Sequence, residues 1–528
     1  MHHLKNFIIL IAFLLIACKP KIATDLTKNQ IIPKPVEVIA TTNSFEVTND
    51  VNIYYNQQHK DLLKNAEYLR SKLSPSTGYS LEIIATDIPP KSGFYLTLLA
   101  DNNVFGDEGY ELDITEKTVT VVANKAAGIF HGIQTIRHVL PDAIEASSTQ
   151  SVKWVMATGK IFDYPKYEYR GSMLDVSRHF FGVDDVKRYI DFLADLKMNV
   201  LHLHLTDDQG WRIEIKSWPN LTTHGGKTEV GGGKGGFYTQ EQYKSLVAYA
   251  EDRYITIIPE IDVPSHTFAA LSSYPELNCN GKVQKTIVRT GDAIGPDPYT
   301  GTEVGFCTLC TDKEIVIQFM NDVIGEIAAI TPGKYMHIGG DESHVTELED
   351  YILFIEKVQK MVLSNDKVMI GWDEIAHAKL DTTSIVQYWA KKENALMGVN
   401  QGTKVIVSPA KFAYLDMQYD STSHLGLNWA GYTEVDSAYL WNPENLVEGI
   451  ERKHILGIEA PLWSETIENM DDIEYLVYPR LIGHAEIGWS QEESRNWDEY
   501  KQRLSNHAGR MKWTGIDYYK SPKIPWNE

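Results

Sequence analysis

The chain has 528 residues, 43% apolar and 23% charged, which is the make-up of a globular protein of two or three domains and not of a disordered or low-complexity one. Fifty Lys and Arg against 71 Asp and Glu leave a formal charge of -21, which repels nucleic-acid phosphates and anionic membrane surfaces and argues against a nucleic-acid partner. Four cysteines, Cys18, Cys279, Cys307 and Cys310, are too few for a disulfide scaffold and lack four-ligand zinc spacing.

The chain opens M-H-H-L-K-N-F-I-I-L-I-A-F-L-L-I-A-C, with Lys5 ahead of an unbroken apolar run over 7–17. That run is too short to cross a ~30 Å hydrocarbon core as a helix, but it suits the apolar region of an export signal. Leu15-Ile16-Ala17-Cys18 resembles the bacterial lipobox, in which the cysteine becomes the lipidated first residue of the mature chain. The expectation is a lipoprotein signal over 1–18 and a polar tether over 19–30. The chain would then work in the bacterial cell envelope, as a periplasmic or outer-membrane lipoprotein that touches membrane only through the anchor on Cys18. An ordinary cleaved signal with an incidental cysteine is the alternative.

Residues 31–163 mix strand-like runs at 51–55, 93–99 and 118–123 with helical periodicity near 59–73 and 126–140. They read as a small α/β accessory domain with no catalytic constellation. After Tyr164-Pro165 the rhythm changes, and eight short apolar runs recur between longer helical segments, each ending in polar or aromatic residues. They occupy 170–178, 199–208, 255–262, 334–342, 367–374, 384–389, 404–409 and 455–465. Eight such units fit a (β/α)8 TIM barrel over 164–515, whose active site gathers where the strands end; residues 516–528 form a C-terminal tail. The fold class is α/β, a TIM barrel catalytic domain preceded by a small α+β domain. A doubly wound open sheet would give the same alternation but collect ligands at one switch point.

The fourth unit closes with His337-Ile338-Gly339-Gly340-Asp341-Glu342. Both carboxylates reach one ligand only where the strand gives out, a departure that the two glycines permit. Carboxylates this close do not both ionise easily, so one is expected to stay protonated near neutrality, an acid beside an anion. Other strand ends supply Trp372, Trp389 and Trp463, whose flat apolar faces pack on sugar C–H surfaces. Arg178, Asp416 and Glu465 add charged partners for hydroxyls. His202-x-His204 lies on one side of a strand and, with Asp207, Asp208 and His266, keeps open a metal-dependent amidohydrolase barrel. The glycine cluster over 225–236 lacks a following G-K-[ST] and reads as a flexible loop.

Seven ordered motifs resemble the β-N-acetylhexosaminidases of glycoside hydrolase family 20, the bacterial exo-enzymes above all. They are R-G-S-M-L-D-V-S-R-H-F-F, H-L-T-D-D-Q-G-W-R, P-E-I-D-V-P-S-H-T, H-I-G-G-D-E, G-W-D-E, A-Y-L-D-M and L-W-S-E. The resemblance is dense over 166–510 and weaker before it. It implies a retaining, substrate-assisted hydrolysis of terminal non-reducing GlcNAc or GalNAc through an oxazoline(ium) intermediate. Glu342 would be the general acid and then the base, while Asp341 would orient the 2-acetamido group and stabilise its charge. Arg178 would bind the C3 and C4 hydroxyls, with Glu465 and Asp416 on the C4 and C6 side. Trp372, Trp389 and Trp463 would wall the N-acetyl pocket, and Tyr414 would donate to the acetamido oxygen. His266 and either Asp207 or Asp208 would support Glu342. No metal or organic cofactor is implied. The family's bacterial members also place a disulfide where this chain has Cys279 and Cys310, worth roughly 3 to 4 kcal/mol in the chain-entropy model; Cys307 is a departure. The aromatic stretch 411–441 would shape the pocket rim. An inactive cell-surface sugar-binding lipoprotein on the same fold is the competing class.

Overall fold

The computed structural model describes residues 25–99, 105–279 and 298–527, so Cys18 and the expected signal lie outside the described residues. Of the expected tether, residues 25–30 are described, and they pack instead of hanging free. Leu26 is buried and Gln30 accepts a hydrogen bond from His507 at 3.0 Å, because residues 25–30 carry enough apolar surface to pack on the domains behind them.

The first domain is a seven-stranded mixed sheet in the order β1-β7-β5-β6-β4-β2-β3. Its strands are β1 (Glu37–Glu46), β2 (Ile53–Asn56), β3 (Ile83–Thr86), β4 (Gly93–Leu98), β5 (Tyr110–Ile114), β6 (Thr118–Ala123) and β7 (Val155–Asp163). Helices α1 (Leu62–Thr77) and α2 (Ala126–Val139) pack on it. In α1, Leu62, Ala66, Leu69 and Leu73 recur at helical spacing and are fully buried. In α2, Gly132 lets the helix lie close, since a Cβ there would meet Val121 at 2.4 Å.

The eight expected runs form a closed parallel barrel: β8 (Tyr169–Asp175), β9 (Val200–His204), β10 (Thr256–Glu260), β11 (Tyr335–His337), β12 (Val368–Trp372), β13 (Ile385–Tyr388), β14 (Lys404–Val407) and β15 (Ile455–Leu462). Along β9 the alternation places Val200, His202 and His204 on one face, while Leu201 and Leu203 pack in the main core with the surrounding helices. The bottom of the barrel is filled by Tyr169, Val200, Ile258, Tyr335, Ile370, Ile385 and Ile406.

The accessory sheet meets the barrel where β8 and β9 begin. Lys197 places its ammonium 2.8 Å from both Asp163 and Tyr110, and Arg170 holds Glu108 at 2.7 and 2.9 Å. Lys197 and Asp163 are both fully buried. At the other end of the chain, the helix Trp497–Thr514 is capped by Asn496, which accepts from the Glu499 N–H, and ends at Gly515 with φ 69°. The expected tail folds back, with Tyr519 stacked on Tyr419 at 3.8 Å.

Candidate active site

The chemistry collects at the C-terminal ends of the barrel strands. After β11 the chain turns through Gly339 (φ 65°) and Gly340 (φ 98°), both in the left-handed region. Gly339 admits no side chain, because a Cβ would fall 1.7 Å from Asp262 Oδ1, the same oxygen that accepts the Gly340 N–H at 3.0 Å. Two non-glycine residues at the site share that backbone region, Glu342 (φ 47°) and His266 (φ 55°). Such strain costs about 1–3 kcal/mol each and persists where the surroundings over-determine it.

Asp341 and Glu342 line a cavity of about 200 Å³ with Arg178, Trp389, Tyr414, Asp416, Trp463 and Glu465. This is small beside the ~300–1,000 Å³ of typical ligand pockets and suits one sugar residue. A larger cavity, about 760 Å³, opens at the domain junction beside Arg137, Asp195, Arg510 and Trp513. Its arginines are already paired, Arg137 with Glu145 and Asp195, Arg510 with Glu145, so volume alone does not mark the reactive site.

The aromatic wall differs from the expected one. Trp389 and Tyr414 stack at 6.4 Å and 14°, and Trp463 lies 6.2 Å from Tyr414. Trp372 is 1% exposed and lies beneath Trp463 as a floor, with its indole N–H donating to Glu260 Oε1 at 2.9 Å. It is absent from the wall because the side chain at the last position of β12 still points into the barrel interior. The mouth is formed instead by Trp429, 56% exposed and edge-on to Trp389 and Tyr414 at 6.0 Å, with Leu427, Thr302 and Val304. Trp429 lies in the aromatic stretch expected to shape the rim, which was the available signal; the sequence carried no mark for Thr302 or Val304. Glu374, the last residue of G-W-D-E, accepts from the Trp389 indole at 3.0 Å. Burial and its neighbour Asp373 push the Glu374 carboxyl up to about 8.

Arg178 crosses over the Trp463 ring at 4.7 Å, with Asp207 at 2.7 Å and Asp175 at 3.4 Å. Asp416 and Glu465 face the same pocket; burial and then the charge of Glu465 raise Asp416 well above the usual carboxylate range. His266 Nδ1 lies 3.2 Å from Asp207 and 3.9 Å from Asp208, which identifies Asp207 as its partner. Its other nitrogen faces Glu342 at 3.4 Å and Asp341 at 3.8 Å. Asp208 instead accepts from the Phe268 N–H at 2.9 Å and the Cys307 thiol at 3.0 Å. Cys279 and Cys310 are bridged, leaving Cys307 free and buried.

Of the pair, Asp341 is the carboxyl that is raised, though not far enough to stay protonated at neutral pH. Burial, assisted by the charge of Glu342 and opposed by that of His266, raises Asp341 to about 6. Burial also pushes Glu342 up, but the His266 hydrogen bond and charge outweigh it and hold the carboxyl below its usual value. The difference is position: Glu342 faces the imidazole at the nearer distance, and Asp341 is the more deeply buried of the two.

The metal reading meets an occupied histidine set. His202 has Glu459 at 2.9 Å on Nδ1 and Glu260 at 3.0 Å on Nε2. His204 has Glu260 at 2.6 Å on Nδ1 and Asp207 at 3.0 Å on Nε2. Carboxylates this close to both nitrogens favour N–H groups over free lone pairs, although His202 Nε2 makes no hydrogen bond and these side chains do cluster at ligand-like spacing. The 225–236 segment is braced rather than loose, wrapped around Arg212, which donates to the carbonyls of Gly226, Thr228 and Gly236.

The model of the catalytic domain of glycosyl hydrolase family 20 matches residues 167–351 and 343–492, and that of the family's domain 2 matches 28–164. The chain belongs to glycosyl hydrolase family 20. Family 20 also accounts for the proteins it is similar to. It is 36% identical over 499 residues to a β-N-acetylhexosaminidase of Cellulomonas fimi, covering 94% of this chain and 97% of the other. A solved family-20 β-N-acetylhexosaminidase of Streptomyces coelicolor superposes with a TM-score of 0.89 at 45% identity, covering 94% and 99%. The Streptomyces plicatus N-acetyl-β-hexosaminidase, solved in complex with a thio-sugar, gives 0.89 and 45%, covering 94% and 98%. The amidohydrolase alternative is not favoured by these relatives.

Proposed function

We infer that this family-20 enzyme is a retaining exo-β-N-acetylhexosaminidase that releases terminal non-reducing GlcNAc or GalNAc by substrate-assisted catalysis. The observation that carries this reading is the placement of Asp341 and Glu342 as neighbours on one glycine-led turn, inside a pocket for one sugar residue. A covalent-nucleophile mechanism needs carboxyls on opposite sides of the scissile bond, ~5 Å apart. Chain neighbours fit a different division of labour, in which the sugar's own acetamido oxygen attacks the anomeric carbon. Intramolecular attack of this kind lowers a barrier by up to ~7–11 kcal/mol.

In the first step the acetamido oxygen bonds to the anomeric carbon as the glycosidic C–O bond breaks, and Glu342 gives its proton to the leaving oxygen. Asp341 holds the acetamido N–H and balances the positive charge, while Tyr414 donates to the acetamido oxygen. In the second step Glu342 takes a proton from water, which opens the cyclic intermediate with overall retention. Arg178, Asp416 and Glu465 fix the hydroxyls; Trp389 and Trp463 wall the N-acetyl group above the Trp372 floor. Supporting this reading, a variant of the similar Streptomyces plicatus β-hexosaminidase has been solved in complex with GlcNAc as product. Export and lipidation at Cys18 belong to the same proposal, resting on the leader sequence alone.

The test is hydrolysis of nitrophenyl N-acetyl-β-glucosaminide and its N-trifluoroacetyl analogue by the purified chain. Turnover of the first and slower turnover of the second are expected, since a trifluoroacetyl carbonyl is the poorer nucleophile. Equal rates would make the acetamido group a bystander. No turnover with chitobiose binding retained would favour the sugar-binding lipoprotein.

A further inference from the structure

The pair Asp207–His266 is only the upper end of a longer series. From the lower barrel upward, Tyr169 donates to Glu459, and Glu459 lies 2.9 Å from His202. His202 then lies 3.0 Å from Glu260, Glu260 lies 2.6 Å from His204, and His204 lies 3.0 Å from Asp207. Asp207 lies 3.2 Å from His266, which reaches Glu342 at 3.4 Å. Carboxylate and imidazole alternate along the series; His202 Nε2 and His266 Nε2 face their carboxylates as charge contacts without a hydrogen bond, and every member below Glu342 is buried. The links come from β15, β9, β10 and the loops after β9, β10 and β11.

We propose that Glu459, His202, Glu260 and His204 join Asp207, His266 and Glu342 in one carboxylate–imidazole relay, in which His204 is a positioning residue whose charge sets how tightly the catalytic acid holds its proton. The inference rests on the glycosidase reading for the role of Glu342, and on geometry alone for the relay.

The argument is one of balance. An ionised carboxylate only accepts, so a ring flanked by two of them keeps both N–H groups and a positive charge. His204 is faced by Glu260 from β10, by Asp207 from the loop after β9, by Asp175 from β8 and by Arg178 at 3.5 Å from the loop after β8. Asp262, from the loop after β10, also lies within 4.8 Å of it, and the Trp463 ring packs edge-on at 4.9 Å. His266 is faced by Asp207, Asp208, Asp262, Asp341 and Glu342. Glu260 is met by His202, His204, His337 and the Trp372 indole. Asp207 is therefore shared by three cations, Arg178, His204 and His266. Each of the first two weakens its hold on the third.

This matters when substrate expels water. A His266–Glu342 ion pair loses ground in a drier site against the neutral pair. The Nε2–H bond of His266 breaks, an O–H bond forms on Glu342, and the ring keeps its Nδ1–H on Asp207. The acid is loaded at the moment it is needed. Without the His204 charge, Asp207 would bind His266 more strongly, and the His266–Glu342 pair would release its shared proton only at higher pH.

Neutron diffraction from the full chain at neutral pD tests the relay directly. Deuterium on both ring nitrogens of His202, His204 and His266 is expected; a bare nitrogen on His204 would overturn the proposal. His204→Gln, which keeps a donor toward Asp207 without the charge, should move the alkaline limb of kcat/KM for the nitrophenyl glycoside upward by about half a unit or more, with chitobiose affinity within about twofold of the parent and a lowered melting temperature, since a buried charge pair is lost. A lowered rate with an unmoved limb would assign His204 to packing alone and overturn the proposal. Failure of the parent chain to hydrolyse the glycoside would count against the glycosidase reading instead, and the neutron result would still decide the relay.

Discussion

The lower and upper halves of the barrel interior are made of opposite materials. Below are Val200, Ile258, Tyr335, Ile370 and Ile385. Two residues further along the same inward faces stand His202, Glu260, His337, Trp372 and Gln387, all buried. One pleat separates a dry apolar layer from a layer of buried polar and charged groups. The apolar layer gains from burial, while the ionic layer persists only because each charge has partners, since breaking a buried pair costs about 3–5 kcal/mol. The barrel thus keeps its stability and its reactivity on adjacent storeys of one scaffold.

That separation can be broken at either storey. Glu342→Gln is expected to lower kcat by on the order of 10²–10⁴-fold, with sugar binding and unfolding midpoint kept, and Asp341→Asn to cripple the cyclising step. Near-normal steady-state rates in either variant would remove the corresponding role. In the lower layer Ile370→Ala is expected to cost about 2–5 kcal/mol in urea unfolding while leaving kcat close to the parent value. A large loss of kcat with unchanged stability would mean that the layers are not separable.

The gentlest probe is pH. Asp341, raised to about 6, must be ionised to balance the developing charge. The free-enzyme profile of kcat/KM should therefore be flat just above that value and fall about tenfold per unit below it. Persistence of full kcat/KM two units lower would place the charge-balancing group elsewhere.

Much of this was legible in the residues. Seven of the eight barrel strands fall within the expected runs and β8 starts one residue ahead of its run, because a buried parallel strand leaves a continuous apolar signature that ends abruptly. Asp341, Glu342, Arg178, Tyr414, Asp416, Trp463 and Glu465 could be placed on the pocket from strand-end position and motif. Trp372 could not be assigned to floor or wall, since one residue of register at the end of β12 decides it. The ionic storey left a competing metal reading open for a related reason. His202 and His204 look like metal ligands along their own strand, and only closure of the barrel shows that Glu459 and Glu260 arrive from strands distant in sequence to occupy both rings. Which member of the Asp341–Glu342 pair holds the readier proton was also beyond the sequence, because it turns on an imidazole distance of a few tenths of an ångström.

The contact between sheet and barrel has a consequence of its own. Lys197 and Arg170 end in the accessory sheet, on Asp163 and Glu108, at the very place where β8 and β9 start. A barrel trimmed of that sheet would inherit an orphaned ammonium and guanidinium at its base, and the sheet alone would inherit the matching anions. The two domains are therefore expected to melt as one unit, with one calorimetric endotherm rather than two, and neither domain alone is a fair stand-in for the pair.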